Sequence, residues 1–209
     1  MRSLAIACSI AGAIALSIPL AGCKKGEHRS APGAASGSAA SPREAPVRLS
    51  FPGTPEGARL VALELAKPGA YILSVFRALR PDPADYDAVF LPEVAAAVRA
   101  ELDPLFDMGN VAMKVGPELS ELKLDGVSVE DLRAGTGHAD RCPGAYKKAA
   151  KHMRPGVVIY CFKMVKPGSD DGPARDGLTY VNGHWAIFPK PFSAIRGALK
   201  DAGVVEDDD

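Results

Sequence analysis

Leu178-Thr179-Tyr180-Val181-Asn182-Gly183-His184-Trp185-Ala186-Ile187-Phe188 decides the fold class. Apolar residues occupy both arms, and Asn-Gly between them suits a two-residue type I′ connection, because both central residues of that turn need positive φ. The stretch therefore reads as a β-hairpin. On alternation, Trp185 and Ile187 share one face of the second arm, while His184, Ala186 and Phe188 share the other. Pro189 and Pro191 end that arm. Upstream, Val157 to Val165 (VVIYCFKMV) is the strongest strand in the chain. Leu119 to Val129 alternates as well, with a bend or turn expected at Gly126. A short helix around Tyr146 to Met153 separates these two strands.

The first half has a different period. Glu56 to Ala66 reads as a helix with Leu60, Leu63 and Ala66 along one face. Ala70 to Leu79 places Ile72, Val75, Phe76 and Leu79 at spacings of three and four. Asp82 before Pro83 is a helix cap followed by proline at the first helical position. From Ala84 to Phe106 the helical pattern runs through Tyr86, Val89, Phe90, Val94, Val98 and Leu102, and Pro92 divides it into two helices. Helices first and an antiparallel meander afterwards predict an α+β domain over 47–205, its N-terminal helices packed on a curved, cone-like antiparallel sheet formed mainly by the C-terminal half.

Ahead of this domain the chain has another character. Arg2, the apolar run Leu4 to Leu16, and Leu20-Ala21-Gly22-Cys23 follow one another. The apolar core is shorter than the roughly 20 residues a membrane span needs, so residues 1–22 read as a signal peptide. Leu20 to Cys23 resembles the bacterial lipobox. That resemblance implies cleavage before Cys23 and acylation of its thiol, which would anchor the chain in a lipid bilayer as a palmitate-bearing lipoprotein of the cell envelope. The expected location is the periplasmic face of either membrane or the cell surface. Residues 23–46 then form a tether of Ala, Gly, Ser and Pro, too poor in large apolar groups to bury a core.

Charge excludes one class of partner. The 25 basic and 25 acidic residues balance, and no basic stripe points to nucleic acid. Glu206 to Asp209 reads as a solvated acidic tail. Of the four cysteines, Cys8 leaves with the signal and Cys23 takes the lipid. Cys142 and Cys161 remain, an even pair in an oxidising compartment that suits a disulfide; the alternative is a buried thiol on the strand.

The segments ALRPDPADYDAVF (78–90), CPGAYKKAAKHMRPGVVIYCFKM (142–164) and GLTYVNGHWAIFPKPF (177–192) resemble a group of uncharacterised bacterial lipoproteins and secreted proteins. The order of elements is also similar to the nuclear transport factor 2 superfamily. That second resemblance implies a cone-shaped pocket, in which an Asp or His beside a Tyr hydroxyl can perform acid–base chemistry.

No catalytic, cofactor or metal motif stands out. His138, Cys142, His152 and Cys161 carry zinc-ligating atoms without a pair at ligand spacing. Gly135-Thr136-Gly137 reads as a turn. The candidate ligand-contacting residues are Tyr86, Tyr160, Tyr180 and Trp185, and Asp87 could join the tyrosines in an acid–base site; Tyr86, Tyr160 and Trp185 also read as core residues. The expected activity is non-enzymatic binding of an envelope protein or a small apolar ligand. An enzyme with an acid–base pocket, or a structural envelope protein, are the alternatives.

Overall fold

The computed structural model describes residues 47–67, 71–108 and 115–201. The signal, Cys23, the tether and the tail at 206–209 lie outside the described residues. Within the described residues, seven α-helices and four strands follow in order: α1 Pro55–Ala66, α2 Tyr71–Ala78, α3 Pro83–Val89, α4 Pro92–Leu102, β1 Glu121–Ser128, α5 Val129–Ala134, α6 Ala145–Ala150, β2 Val158–Val165, β3 Ala174–Val181, β4 His184–Ile187 and α7 Pro191–Asp201. The fold is α+β, and its sheet is an open antiparallel meander of four strands in the order β1-β2-β3-β4.

The hairpin forms as its sequence dictates. Asn182 (φ 49°) and Gly183 (φ 83°) both adopt the positive φ of a type I′ turn. Tyr180 then faces Trp185, and Val181 faces His184. Gly126 does not bend β1. It stays within the ladder opposite Tyr160, whose ring covers the space a side chain would fill.

Alternation along the strands supplies two cores, one on each side of the sheet. Leu122, Tyr160, Phe162, Met164, Leu178, Trp185 and Ile187 meet α1 and α2. Val127, Ile159, Cys161, Ala186 and Phe188 meet α3 to α7. The helices are therefore shared between both faces of an open sheet.

In α1 the buried stripe is Ala58, Val61, Ala62 and Leu65, whereas Leu63 stays 37 % exposed. Two stripes with helical spacing overlap in this helix, and the one carrying small residues packs inward. The Ile72, Val75, Phe76 and Leu79 stripe of α2 is buried as expected. Helix α7 starts on Pro191 and buries Ala194, Ile195 and Leu199, extending the chain's order beyond the last strand.

One irregularity positions much of the molecule. Tyr160 pairs with Leu178 but Phe162 with Arg175, so Asp176 and Gly177 together oppose Cys161 in a β-bulge. Gly177 has φ +88°, and a Cβ there would lie 2.2 Å from the Phe188 carbonyl oxygen. That approach lets the Phe188 amide donate to the Gly177 carbonyl at 2.8 Å.

Candidate functional site

Cys142 and Cys161 form a disulfide, with Cα atoms 5.5 Å apart and a sequence separation of 19. In the chain-entropy account a loop of that length contributes about 3 kcal/mol. The bridge ties the segment before α6 to the middle of the sheet. It thereby removes both thiols from any zinc site, and His138 instead pairs with Asp125 at 2.9 Å.

Beside the disulfide lies an open polar trough of about 440 Å³. Lys123, Arg141, Lys163 and Arg175 contribute to its walls, together with the acids Asp125, Asp140, Asp170 and Asp171. Lys123 pairs with the Asp170 carboxylate, and the Lys163 ammonium donates to the Asp170 carbonyl oxygen at 2.5 Å. Hydrogen bonding from Lys123, then its charge and those of Lys163 and Arg141, hold the Asp170 carboxyl below the usual carboxylate range. Since Asp170 is on the surface, that shift carries no stabilising energy.

A groove of about 710 Å³ adjoins the trough and shares Lys123, Asp125, Arg141 and Asp170 with it. The groove follows Leu122 to Asp125 of β1, and Pro55, Glu56 and Arg59 of α1 form its other wall. Strand β1 is at the sheet edge. Its backbone polarity follows from β2: the Met164 amide and the Val158 carbonyl both point toward β3. Even-numbered residues of β2 therefore serve β3 and odd-numbered ones serve β1. Through the register, Lys123, Asp125 and Val127 face β2, while Leu122, Leu124 and Gly126 turn their amides outward. Among the described residues nothing accepts from those three amides. At the opposite edge the Leu79 carbonyl accepts from Ile187 at 3.0 Å.

The four aromatics expected to contact ligand separate. Tyr160 and Tyr180 both stand edge-on to Trp185, at 5.6 and 5.3 Å between ring centres. Tyr160 and Trp185 are buried, and Tyr180 is 40 % exposed. The Trp185 indole N–H donates to the Pro52 carbonyl at 3.1 Å, which fixes the segment leading into α1. Tyr86 belongs to the other core, where it donates to Asp103 at 3.1 Å. Packing within the domain accounts for Tyr86, Tyr160 and Trp185, and none of the four lines the trough or the groove.

Burial, reinforced by Asp103 and Asp176 respectively, pushes the Tyr86 and Tyr146 hydroxyls up from their ordinary value; burial alone does so for Tyr160. A phenol that ionises near pH ~10 when unfolded but later when folded favours the fold fully below that pH. Its contribution is lost as pH rises through the folded value. Absorbance at 295 nm should therefore show these tyrosines ionising together with the loss of far-UV circular dichroism. Complete ionisation near pH 10 with the fold intact would contradict this packing.

Sequence reasoning missed Asp85, two residues from the Asp87 it considered. Asp85 is fully buried. Its carboxylate accepts from Asn182 Nδ2 at 2.8 Å and the Asp82 amide at 2.6 Å, and meets His184 Nε2 at 2.9 Å. Arg48 pairs with Asp82 at 2.5 Å. Single ligand atoms of Asp82, Asp85 and His184 lie within 4.8 Å of one another, close enough to hold a cation. The Arg48 guanidinium supplies positive charge there, and both Asp85 oxygens are engaged. The arrangement joins the N-terminal segment, α3 and the hairpin; neither the trough nor the groove includes it. Asp87 stays exposed, with its carbonyl accepting from Arg154.

No protein-family model, curated protein or solved structure matches this chain.

Proposed function

We propose that this chain is a lipid-anchored protein of the bacterial envelope, and that its domain is a non-enzymatic binding module that holds a protein partner along the edge of β1. The observation that carries the reading is the row of outward amides at Leu122, Leu124 and Gly126 beside an open groove. Main-chain pairing supplies affinity in such strand addition, and flanking side chains supply specificity. The trough and groove are lined with charge, which favours a peptide over a small apolar ligand. The lipobox resemblance at Leu20 to Cys23 supports the anchoring, and a disulfide suits an oxidising compartment.

Two measurements test this. Cys23→Ala is expected to move the protein out of the lipidated membrane pool, since each acyl methylene is worth about 0.8 kcal/mol of membrane affinity. Lipid-adduct mass spectrometry that still finds acylated protein would refute the anchor. A photocrosslinking residue replacing Arg59 should trap an envelope protein in living cells, and the adduct should vanish in a Leu124→Pro background. Crosslinks that persist in that background place the partner elsewhere.

A further inference from the structure

We propose that the partner presents an extended acidic peptide, which adds as a strand to the outer edge of β1 and sets a carboxylate where Asp170 now meets Lys123 and Lys163. This rests on the reading of β1 as the docking edge and names what docks there.

The first support is continuity. The groove along Leu122 to Asp125 runs into the trough, with Lys123 and Arg141 lining both beside Asp125 and Asp170. A strand laid on the outward amides of Leu122 and Leu124 thus brings alternate side chains past these cations.

The second support is the contact the chain already makes. The loop between β2 and β3 offers Asp170, whose carboxylate meets Lys123 and whose carbonyl accepts from Lys163. Its carboxylate side chain is 69 % exposed, so it is held by the cations and not by packing. The position already accepts a carboxylate from a solvated segment, which is the chemistry an acidic peptide brings. Asp170 then acts as an internal competitor. An incoming carboxylate has to displace it, so binding is weaker than the cations alone would give.

That competition separates an acidic-peptide site from a generic sticky edge. The probe is a fluorescent octapeptide of alternating valine and glutamate, titrated into the purified full chain by anisotropy, with a valine–lysine octapeptide as control. The glutamate peptide should bind about tenfold more tightly than the lysine peptide and weaken with added salt. Asp170→Asn should tighten its binding severalfold, and Lys123→Glu should weaken it about tenfold. Leu124→Pro should abolish binding while preserving the ladder, because the lost N–H points away from β2.

Equal binding of both peptides, abolished by Leu124→Pro, overturns the acidic preference and leaves the docking edge standing. Binding untouched by Leu124→Pro overturns the docking edge itself. Unchanged or weaker binding by Asp170→Asn overturns the competitor role. Free glutamate displacing the peptide at matched concentration would show a small-anion site instead. A doubling of mass with concentration, reversed by Leu124→Pro, would make a second copy the occupant and refute the proposal.

Discussion

Asp85→Ala is expected to lower the unfolding free energy by about 1–3 kcal/mol, the range for taking a buried shared acceptor away from its hydrogen-bond partners. The carboxylate is the shared acceptor for Asn182, for the Asp82 amide and for His184 when its Nε2 carries a proton. Truncation removes their shared acceptor; Asp82 and Asn182 are exposed and can turn to water, whereas His184, 15 % exposed, loses its partner, and an unsatisfied buried group costs about 1–3 kcal/mol. Asp85→Asn should fall between the wild type and Ala, since it keeps the shape and one acceptor but turns an amide toward donors. Asp87→Ala, on an exposed position two residues away, should shift stability by less than about 0.5 kcal/mol. Urea unfolding of all three distinguishes the account: a loss below about 1 kcal/mol for Asp85→Ala would show that the network adds little.

Gly177→Ala should cost about 2–5 kcal/mol, combining positive-φ strain with a forced backbone shift. A Cβ at Gly177 would sit 2.2 Å from the Phe188 carbonyl oxygen and 2.5 Å from the Tyr146 hydroxyl. Neither neighbour can yield easily, because Tyr146 donates toward that same carbonyl at 2.8 Å and Phe188 is buried. Gly183→Ala is the matched control. Its φ is +83° but nothing lies within 4 Å of an added Cβ, so only the strain, about 1 kcal/mol, is expected. Equal thermal shifts for the two variants would remove the steric part of the argument.

The bulge and the buried aspartate mark where sequence legibility ends. The hairpin was readable because Asn182-Gly183 has a specific turn chemistry, and β2 because its apolar run has few other uses. Helix α3 was readable from Asp82 and Pro83, whose cap and first-turn preferences are local. Locally Asp85 is legible only as the N3 acid of the capping box that starts α3; its burial depends on Asn182 and His184, 97 and 99 residues away. Helix α1 carries two apolar stripes, one through Leu60, Leu63 and Ala66 and one through Ala58, Val61, Ala62 and Leu65, and the close approach of the sheet selects the second. Helix α7 has helical spacing at Pro191, Ala194, Ile195 and Leu199, but Pro189 and Pro191 read locally as a strand end. The β1 edge was invisible for a different reason. Whether a strand is paired on one side or two depends on strand order, which no residue of β1 encodes.

Chance contact with a peptide and true strand addition differ at single amides, so hydrogen exchange along β1 tests the central claim most directly. In the free protein the amides of Lys123, Asp125 and Val127 should exchange slowly and those of Leu122 and Leu124 quickly, following their directions in the ladder. Adding the valine–glutamate octapeptide should slow Leu122 and Leu124 selectively. Protection of both amides in the free protein, or unchanged exchange at a saturating peptide concentration, would contradict an open docking edge.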